Sequence, residues 1–418
     1  MAMSLSMVVS RWIAALLLLS QLLPRGIVAD SKGSVFDKKE NEEKLIEWIR
    51  SRGGYWNPGQ ELRYDETVPG LYGVFASEPI ERHAVLAKIP WECVIYPDDE
   101  DESEDQDHPD RFDENCRMVQ RLADELQTER DAGAGGVVRS DFSHYVEGLI
   151  QTATEHSKLL PAHWSEGGKK LLSRVLFDDD ETGEPVQVLP PEDVFWIHDD
   201  WKHRCEARVD PVATLLVTTH GEDFGMVPLT DKFNSRGGNW TGAFFSVENG
   251  DGPIALEIRA LRDLAAGEQI YTDYHDYGQI GTPELLRDYG FVEAYPQRWI
   301  FHHHGIAFDV LEKHGPRDAG GGDDRFQIEW HDRINSVRYV GKPSSSGVEI
   351  LRRHLDRLDQ TVVPALEAAA APETKDAFGR PTELERETVL RFCHDLASAL
   401  ELAIRDAEAA SATPDPEL

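Results

Sequence analysis

Cysteine and histidine are the side chains of this sequence with the broadest chemistry, and their spacing argues against a shared metal. The four cysteines, at positions 93, 116, 205 and 393, lie far apart and form no Cys-x-x-Cys pair. Two disulfides or four buried thiols fit this pattern equally well. The three consecutive histidines 302–304 would point to alternate faces of a strand, so they would not converge on one ion. We therefore predict no metal site.

A second chemical feature is a glycosylation signal. The stretch DKFNSRGGNW, residues 231–240, runs from a strand end into a turn of small residues. At its end, Asn239, Trp240 and Thr241 form the acceptor sequence Asn-x-Thr. If the chain enters the endoplasmic reticulum and this turn is exposed, Asn239 is a site for an N-linked glycan.

The first residues have the composition of a secretion signal. An apolar run from Trp12 to Leu23 follows one arginine, and small residues follow the run up to Ala29. Because the run is too short to span a membrane comfortably, we predict a signal peptide over residues 1–29 and entry into the secretory pathway at the endoplasmic reticulum. Two alternatives stay open: an uncleaved signal that anchors the chain in a membrane, and the first half of a bipartite signal for a complex plastid.

Composition restricts the class of protein. With 418 residues, 40% of them hydrophobic, and ten tryptophans, the chain is long enough for two domains with apolar cores. Its net charge of −34 argues against a nucleic-acid partner. Eight acids stand within residues 98–107, which we interpret as a solvated loop, and the rest of the chain is acidic as well. Such a surface either favours a basic partner or serves solubility alone.

Periodicity predicts a β-rich body that a helical segment interrupts. Helices are predicted over residues 41–54, 112–130, 142–153 and 163–176, and within 191–209. Strands are predicted over residues 71–80, 84–97 and 213–234, and as a pair within 253–274. Beyond a glycine cluster at 319–324, helical spacing covers residues 348–371 and 383–410. We therefore predict an α+β fold with a helical C-terminal region.

Four stretches of the β-rich body stand in the order of a known family. They are GLYGVFASEPIERHAVLAKIPWECVI (70–95), MVPLTDKFNS (226–235), LRDLAAGEQIYTDY (261–274) and ELLRDYGFVE (284–293). With a helical insert between the first two, the chain resembles the SET-domain methyltransferases, in the branch of the Rubisco large-subunit lysine methyltransferase and the actin histidine methyltransferase. The resemblance implies a SET domain over residues 41–305, with the insert at about 110–205 and the acidic loop at 98–107. It also implies a helical, substrate-binding-like domain over residues 306–418.

This resemblance implies a reaction. A methyl group would pass directly from S-adenosyl-L-methionine to a nitrogen of a protein substrate through a channel, with lysine as the expected acceptor and histidine as the alternative. The acidic surface favours a substrate with a basic or lysine-bearing segment, and neither metal nor nucleic acid is expected. A SET-fold protein without activity, acting as a peptide-binding or scaffold module, also fits the sequence. In a third interpretation, the acidic body only captures basic partners.

The same resemblance assigns the reacting end of the site. Tyr274, which ends GEQIYTDY, is implied to be the active-site tyrosine, with a phenol that orients the nucleophile and the methyl group. A tyrosine that only packs its ring at a strand end is the alternative. Tyr72 and Gly73 occupy the family's glycine-bearing turn, where the missing side chain lets the backbone approach the cofactor. Tyr289 is implied to pack against the channel wall.

Further cofactor contacts are implied on both sides of the second block. Arg208 is the nearest match to the family's arginine for the cofactor carboxylate, and Arg204 competes with it. The family motif Asp-x-x-Asn-His keeps Asp231 and Asn234, but Ser235 stands where the histidine belongs. Asn234 and Ser235 are thus the implied cofactor contacts, and the shorter side chain of Ser235 cannot replace an imidazole fully.

Overall fold

The computed structural model describes residues 32–64, 72–97, 111–133, 139–176, 205, 210–222, 225–248, 255–274, 280–313, 325–334, 337–364, 366 and 381–411. Four predictions lie outside these residues: the signal peptide, the acidic loop 98–107, the helix within 191–209 apart from Cys205, and the roles of Arg208 and Arg204. In the part described, no helix combines the length and the apolar composition needed to cross a membrane.

A four-stranded antiparallel sheet is the frame of the first half of the molecule. The strands of this half are β1 (Tyr55–Trp56), β2 (Gln60–Tyr64), β3 (Tyr72–Ala76), β4 (Val85–Pro90), β5 (Gly221–Glu222), β6 (Gly225–Met226), β7 (Ala243–Glu248) and β8 (Ala255–Ala260). The sheet has the order β1-β4-β8-β7, so β8 lies between β4 and β7. The strands β2 and β3 form a separate antiparallel pair, as do β5 and β6.

Helices close an apolar core against this sheet. They are α1 (Lys32–Ser51), α2 (Arg111–Gly133), α3 (Ser143–His156) and α5 (Pro211–His220), with α4 (Glu166–Leu176) lying elsewhere. Each of the four contributes buried side chains to one cluster that also contains residues of β3, β4 and β8. Leu122 of α2 is fully buried there, which stabilises the fold by about 2 kcal/mol for one such side chain.

A second apolar core lies around a three-stranded antiparallel sheet in the second half. Its elements are α6 (Thr282–Tyr289), β9 (Gln297–Phe301), β10 (Ile306–Glu312), β11 (Phe326–Trp330), α7 (Ser345–Arg357) and α8 (Glu383–Ser411), beside a short pair β12 (Arg333–Ile334) and β13 (Val337–Arg338). The insert helix α4 packs in this second core rather than the first. Arg357 of α7 donates to the carbonyl oxygens of Arg174 and Val175, at 2.8 and 2.6 Å, and so fixes the C-terminal end of α4.

The predicted strand over residues 213–234 is wrong in its first part, which is helix α5. Asp210 caps this helix, because its carboxylate accepts from the backbone N–H groups of Val212 and Ala213 at 2.8 and 2.9 Å. Pro211 follows at the first helical position, where no N–H donor is needed. The run of β-branched residues favours a strand, but the cap and the burial of most of the helix outweigh that preference.

Among the described residues of the C-terminal region, the α-helices begin at Ser345. The helices predicted over residues 348–371 and 383–410 are present as α7 and α8, and a five-residue π turn follows α7. Before them the chain forms the sheet β9-β10-β11, where Phe301 pairs with Ile306. The predicted boundary between residues 305 and 306 thus falls inside an antiparallel pair of strands.

The histidine triplet and the cysteines adopt structures that differ in part from the predicted strand and the predicted cysteine pairings. Residues 302–304 form a 3-10 turn rather than a strand, and within the described residues no group of three or more His, Cys, Asp or Glu could hold a metal ion. Cys116 and Cys205 form one disulfide, with Cα atoms 5.6 Å apart. Cys93 and Cys393 are buried thiols, and burial raises the pKa of each to about 12.

Candidate active site

A cavity of about 280 Å³ lies where the two halves of the molecule meet. Helices α1 and α3 line it on one side, and residues 289–294, which follow α6, line it on another. Asn234, Ser235 and Tyr274 line the same cavity. The fold thus brings these three residues, which the resemblance implies, to one concave site. Asn234 and Tyr274 are 40 positions apart in the sequence.

A strained turn leads to the cavity-lining residues Asp231 and Lys232. Leu229 is buried and has φ of 71°, a left-handed conformation that a non-glycine side chain rarely adopts. The next residues, Thr230–Lys232, form a 3-10 turn that places the carboxylate of Asp231 inside the molecule. Backbone strain of this kind persists where the surrounding packing imposes it, often at functional sites.

The side-chain carboxylate of Asp231 is buried beside the cavity. Its Oδ2 lies 2.9 Å from Nζ of Lys232 and 3.4 Å from Nδ1 of His220. Its Oδ1 has no hydrogen-bond partner among the residues described. Because a buried, unsatisfied carboxylate oxygen is costly, this atom is a ready acceptor for a polar group that enters the cavity.

Two histidines extend this polar cluster away from Asp231. Nε2 of His220 lies 3.1 Å from Nδ1 of His156, and the two rings are stacked with centroids 4.7 Å apart. Burial, followed by the nearby charge of Lys232, lowers the pKa of His220 to about 3, so this imidazole stays neutral. Both histidines line the cavity, and sequence reasoning missed them because they lie 64 positions apart.

Backbone pairing holds Ser235 beside the segment that leads to Tyr274. Ser235 forms a parallel bridge with Thr272. The N–H of Thr272 donates to the carbonyl of Asn234 at 3.0 Å, and the N–H of Arg236 donates to the carbonyl of Thr272 at 2.8 Å. The two motif blocks are therefore locked together in one register.

Tyr274 is held at both ends. Its backbone N–H donates to Oγ of Ser235 at 3.1 Å, and its phenol donates to the carbonyl of Phe233 at 3.0 Å. Its ring lies against that of Tyr289, with centroids 4.8 Å apart. Burial raises the pKa of Tyr274 well above its usual value, and the neighbouring Tyr289 and Asp231 add to the shift. The phenol is therefore neutral at physiological pH and its oxygen keeps lone pairs to accept a hydrogen bond.

Gly73, which the resemblance implies to lie at the cofactor, packs closely against Gln269 and Asn234. A Cβ added to Gly73 would clash with the side chain of Gln269 and lie 3.0 Å from Nδ2 of Asn234. A side chain at position 73 would therefore displace Asn234. The neighbouring Tyr72 is placed in β3 opposite Tyr64.

Arg236 was not predicted, yet it ties the site to the second core. Its guanidinium donates to the carbonyl of Tyr295 at 2.9 Å and to the carboxylate of Glu312 at 3.0 Å. It also lies over the ring of Trp240, 3.4 Å from the centroid. The segment that carries Ser235 is thus braced by β10 of the C-terminal region.

Residues 71–275 match the family model of the SET domain. The α+β fold with a helical C-terminal region is thus the predicted SET-domain fold. The match contains Gly73, Asn234, Ser235 and Tyr274, and it ends before α6. No curated protein matches the sequence significantly.

Solved structures similar to this chain include three of LSMT. A structure of Rubisco LSMT bound to AdoMet has a TM-score of 0.46 and 15% identity, over 88% of this chain and 92% of that one. The SET domain of LSMT bound to lysine and AdoHcy has a TM-score of 0.43 and 13% identity, over 88% and 93%. Rubisco LSMT bound to sinefungin and monomethyllysine has a TM-score of 0.44 and 14% identity, over 89% and 92%.

Proposed function

We propose that this protein is an S-adenosyl-L-methionine-dependent protein N-methyltransferase, with lysine as the acceptor and histidine as the alternative. The observation that carries the proposal is the convergence on one cavity of Asn234, Ser235 and Tyr274, all three within the residues that match the SET domain. The substrate would be a protein with a basic or lysine-bearing segment, which the acidic surface favours.

The cavity offers the contacts that this cofactor needs. Its wall combines the aromatic rings of Tyr271, Tyr274 and Phe291 with side chains of both charges, Glu293 and Arg391 among them. Rings of this kind can stack on an adenine, and the charged groups can pair with the ammonium and carboxylate of an amino acid. Asn234 and Ser235 would hold the bound cofactor, which supplies an electrophilic methyl group on a sulfonium.

The residues of this chain then act on the nucleophile. A lysine with a pKa of ~10.4 must lose a proton, which costs about 4 kcal/mol near pH 7.5. Removal of the side chain from water lowers that cost, because burial disfavours the ammonium form. The oxygen of Tyr274, which donates to the Phe233 carbonyl, can accept a hydrogen bond from the amine and so direct its lone pair. The neutral phenol does not compete for the methyl group, since its pKa is raised.

Ser235 favours a second candidate, a SET-fold module without activity. The hydroxyl of Ser235 keeps the hydrogen bond that braces Tyr274, at 3.1 Å. It lacks the ring that the family histidine would offer to the cofactor. The missing ring is the feature expected if the fold had been kept and cofactor use lost.

Calorimetric titration with S-adenosyl-L-methionine separates the two candidates. We expect the natural chain to bind with micromolar affinity, and Ser235→His to bind more tightly because an imidazole adds contact area at the cofactor. Ser235→Ala is the matched control, since it removes the hydroxyl without adding a ring. If the natural chain and Ser235→Ala give no heat while Ser235→His binds, the inactive module is the correct function. If none of the three binds, the methyltransferase proposal is wrong.

A further inference from the structure

The acceptor sequence at Asn239 is the feature of the site that the proposed function leaves unused. Asn239 lies in the single 3-10 turn Gly238–Trp240, and its side chain is exposed. The next two residues point inward: the indole of Trp240 donates to the carboxylate of Glu312 at 2.6 Å, and the hydroxyl of Thr241 donates to the carbonyl of Arg236 at 3.1 Å. The fold therefore exposes the acceptor amide and secures its neighbours.

This arrangement can carry a large polar adduct without a change in the core. A glycan on a buried asparagine would prevent folding, whereas one on Asn239 would extend into solvent. The turn does not depend on the asparagine side chain, because its closing hydrogen bonds run between backbone atoms. The N–H groups of Trp240 and Thr241 donate to the carbonyls of Gly237 and Gly238, at 3.3 and 3.2 Å.

A separate observation supports entry into a compartment where such a modification occurs. Cys116 of α2 and Cys205 form a disulfide across 89 positions of sequence. Disulfides persist in the oxidising secretory lumen and are rare in the reducing cytosol. The apolar run of residues 12–23, which we predict to be a signal-peptide core, points to the same compartment.

We propose that Asn239 carries an N-linked glycan, added during entry into the secretory lumen. The amide nitrogen of Asn239 would bond to the anomeric carbon of a lipid-linked oligosaccharide, with loss of one N–H proton, while the lipid pyrophosphate leaves with the electron pair of the broken bond. The hydroxyl of Thr241 is required for recognition but is engaged by Arg236 in the folded protein. The transfer therefore precedes closure of this turn.

The glycan would stand close to the cavity wall that Arg236 forms. Asn239 follows Arg236 by three residues, and Arg236 lines the cavity while it stacks on Trp240. A protein substrate would have to approach from another side of the cavity. A small cofactor would not be affected, since the glycan is anchored on the exposed side of the turn.

The test is expression of the full chain in a eukaryotic secretory host, with mobility on gels before and after treatment with a peptide N-glycanase. We expect a mobility shift for the natural chain and for Thr241→Ser, which keeps the acceptor hydroxyl. We expect none for Asn239→Gln or Thr241→Ala. Mass spectrometry of the treated peptide should show position 239 converted to aspartate.

Two outcomes would overturn the proposal. One is a secreted chain with the 116–205 disulfide formed and Asn239 unmodified. The other is a chain that never reaches the lumen, with Asn239 unmodified and both cysteines reduced. Because Asn239→Gln leaves Thr241 and its hydrogen bond intact, loss of the shift in a secreted variant reports the modification and not the fold. None of these results depends on methyltransferase activity.

Discussion

Tyr274 makes two hydrogen bonds that act on different parts of the residue. The bond from its backbone N–H to Ser235 fixes where the residue stands, and the bond from its phenol to Phe233 fixes where the oxygen lone pairs point. The first would survive a change of side chain and the second would not. Binding and chemistry are therefore separable at this residue.

Replacement Tyr274→Phe is expected to leave cofactor affinity within about twofold and to lower methyl transfer by about a hundredfold. The ring keeps its contact with Tyr289, while the oxygen that directs the nucleophile is lost. Calorimetry with S-adenosyl-L-methionine and a radiolabelled methyl-transfer assay measure the two quantities. Tyr289→Phe is the control that keeps both rings and the Tyr274 phenol. A Tyr274→Phe variant with full transfer activity would mean that this tyrosine only packs.

The residues that the sequence predicts best are those within short motifs. Asn234, Ser235 and Tyr274 all line the cavity. They could be predicted because each stands in a short block of sequence that resembles a block of the family. His156, His220 and Arg236 were not predicted, since their contacts join distant segments of chain. Arg236 reaches Glu312, 76 positions away, and no local pattern marks such a pair.

At the scale of elements, helix α5 shows how a capping residue can overrule a strand-like composition. The sequence from Pro211 to His220 is rich in valine and threonine, which favours a strand. Asp210 satisfies two N–H groups of the first turn, and three threonine hydroxyls donate to carbonyls four residues back. The aspartate-proline pair was the signal in the sequence that could have predicted this helix.

Replacement Asp210→Ala is therefore expected to destabilise the protein by about 1 kcal/mol. The variant leaves the N–H groups of Val212 and Ala213 without their acceptor. Denaturant unfolding followed by circular dichroism measures the change. Asp210→Asn is the matched control, because its side-chain oxygen can still accept and only the charge is lost. Equal destabilisation by both variants would contradict the cap and assign the effect to the ion pair with Arg130, whose atoms lie 3.8 Å apart.

At the scale of the whole molecule, the candidate site depends on two apolar cores. The SET-domain segments bring Ser235 and Tyr274 together, while Glu312 of β10 holds Arg236 from the second core. The insert helix α4 crosses to that second core, where the carboxylate of Glu385 accepts from the backbone N–H of Ser165 at 2.6 Å. A division of the sequence into consecutive domains does not reveal that α4 packs in the second core. Periodicity shows that a helix is amphipathic but not which surface it covers.

His220 and His354 are buried histidines that the fold holds in the neutral form. Burial lowers the pKa of His220 to about 3, and burial with the charges of His304 and Arg357 lowers that of His354 to about 3. The unfolded chain binds a proton at each of these side chains near pH 6.5, so it holds more protons than the folded chain between pH 6.5 and pH 3. The stability that each histidine contributes is present above pH 6.5 and is lost as the pH falls.

We expect the free energy of unfolding to fall by roughly 2 kcal/mol for each of these histidines between pH 7.5 and pH 5. In His220→Gln, the fall in the free energy of unfolding between the two pH values should be smaller by the contribution of His220. The control His303→Gln, at an exposed position, should keep the full decrease. Burial raises the pKa of Asp359, Asp395 and Glu401, so these carboxyl groups increase the stability of the folded chain as the pH falls. Because the natural chain and the variant share these groups, their contribution cancels when the two chains are compared. Denaturant unfolding at the two pH values gives that difference. If the free energy of unfolding of His220→Gln changed between the two pH values as much as that of the natural chain, His220 would not be held neutral in the folded protein.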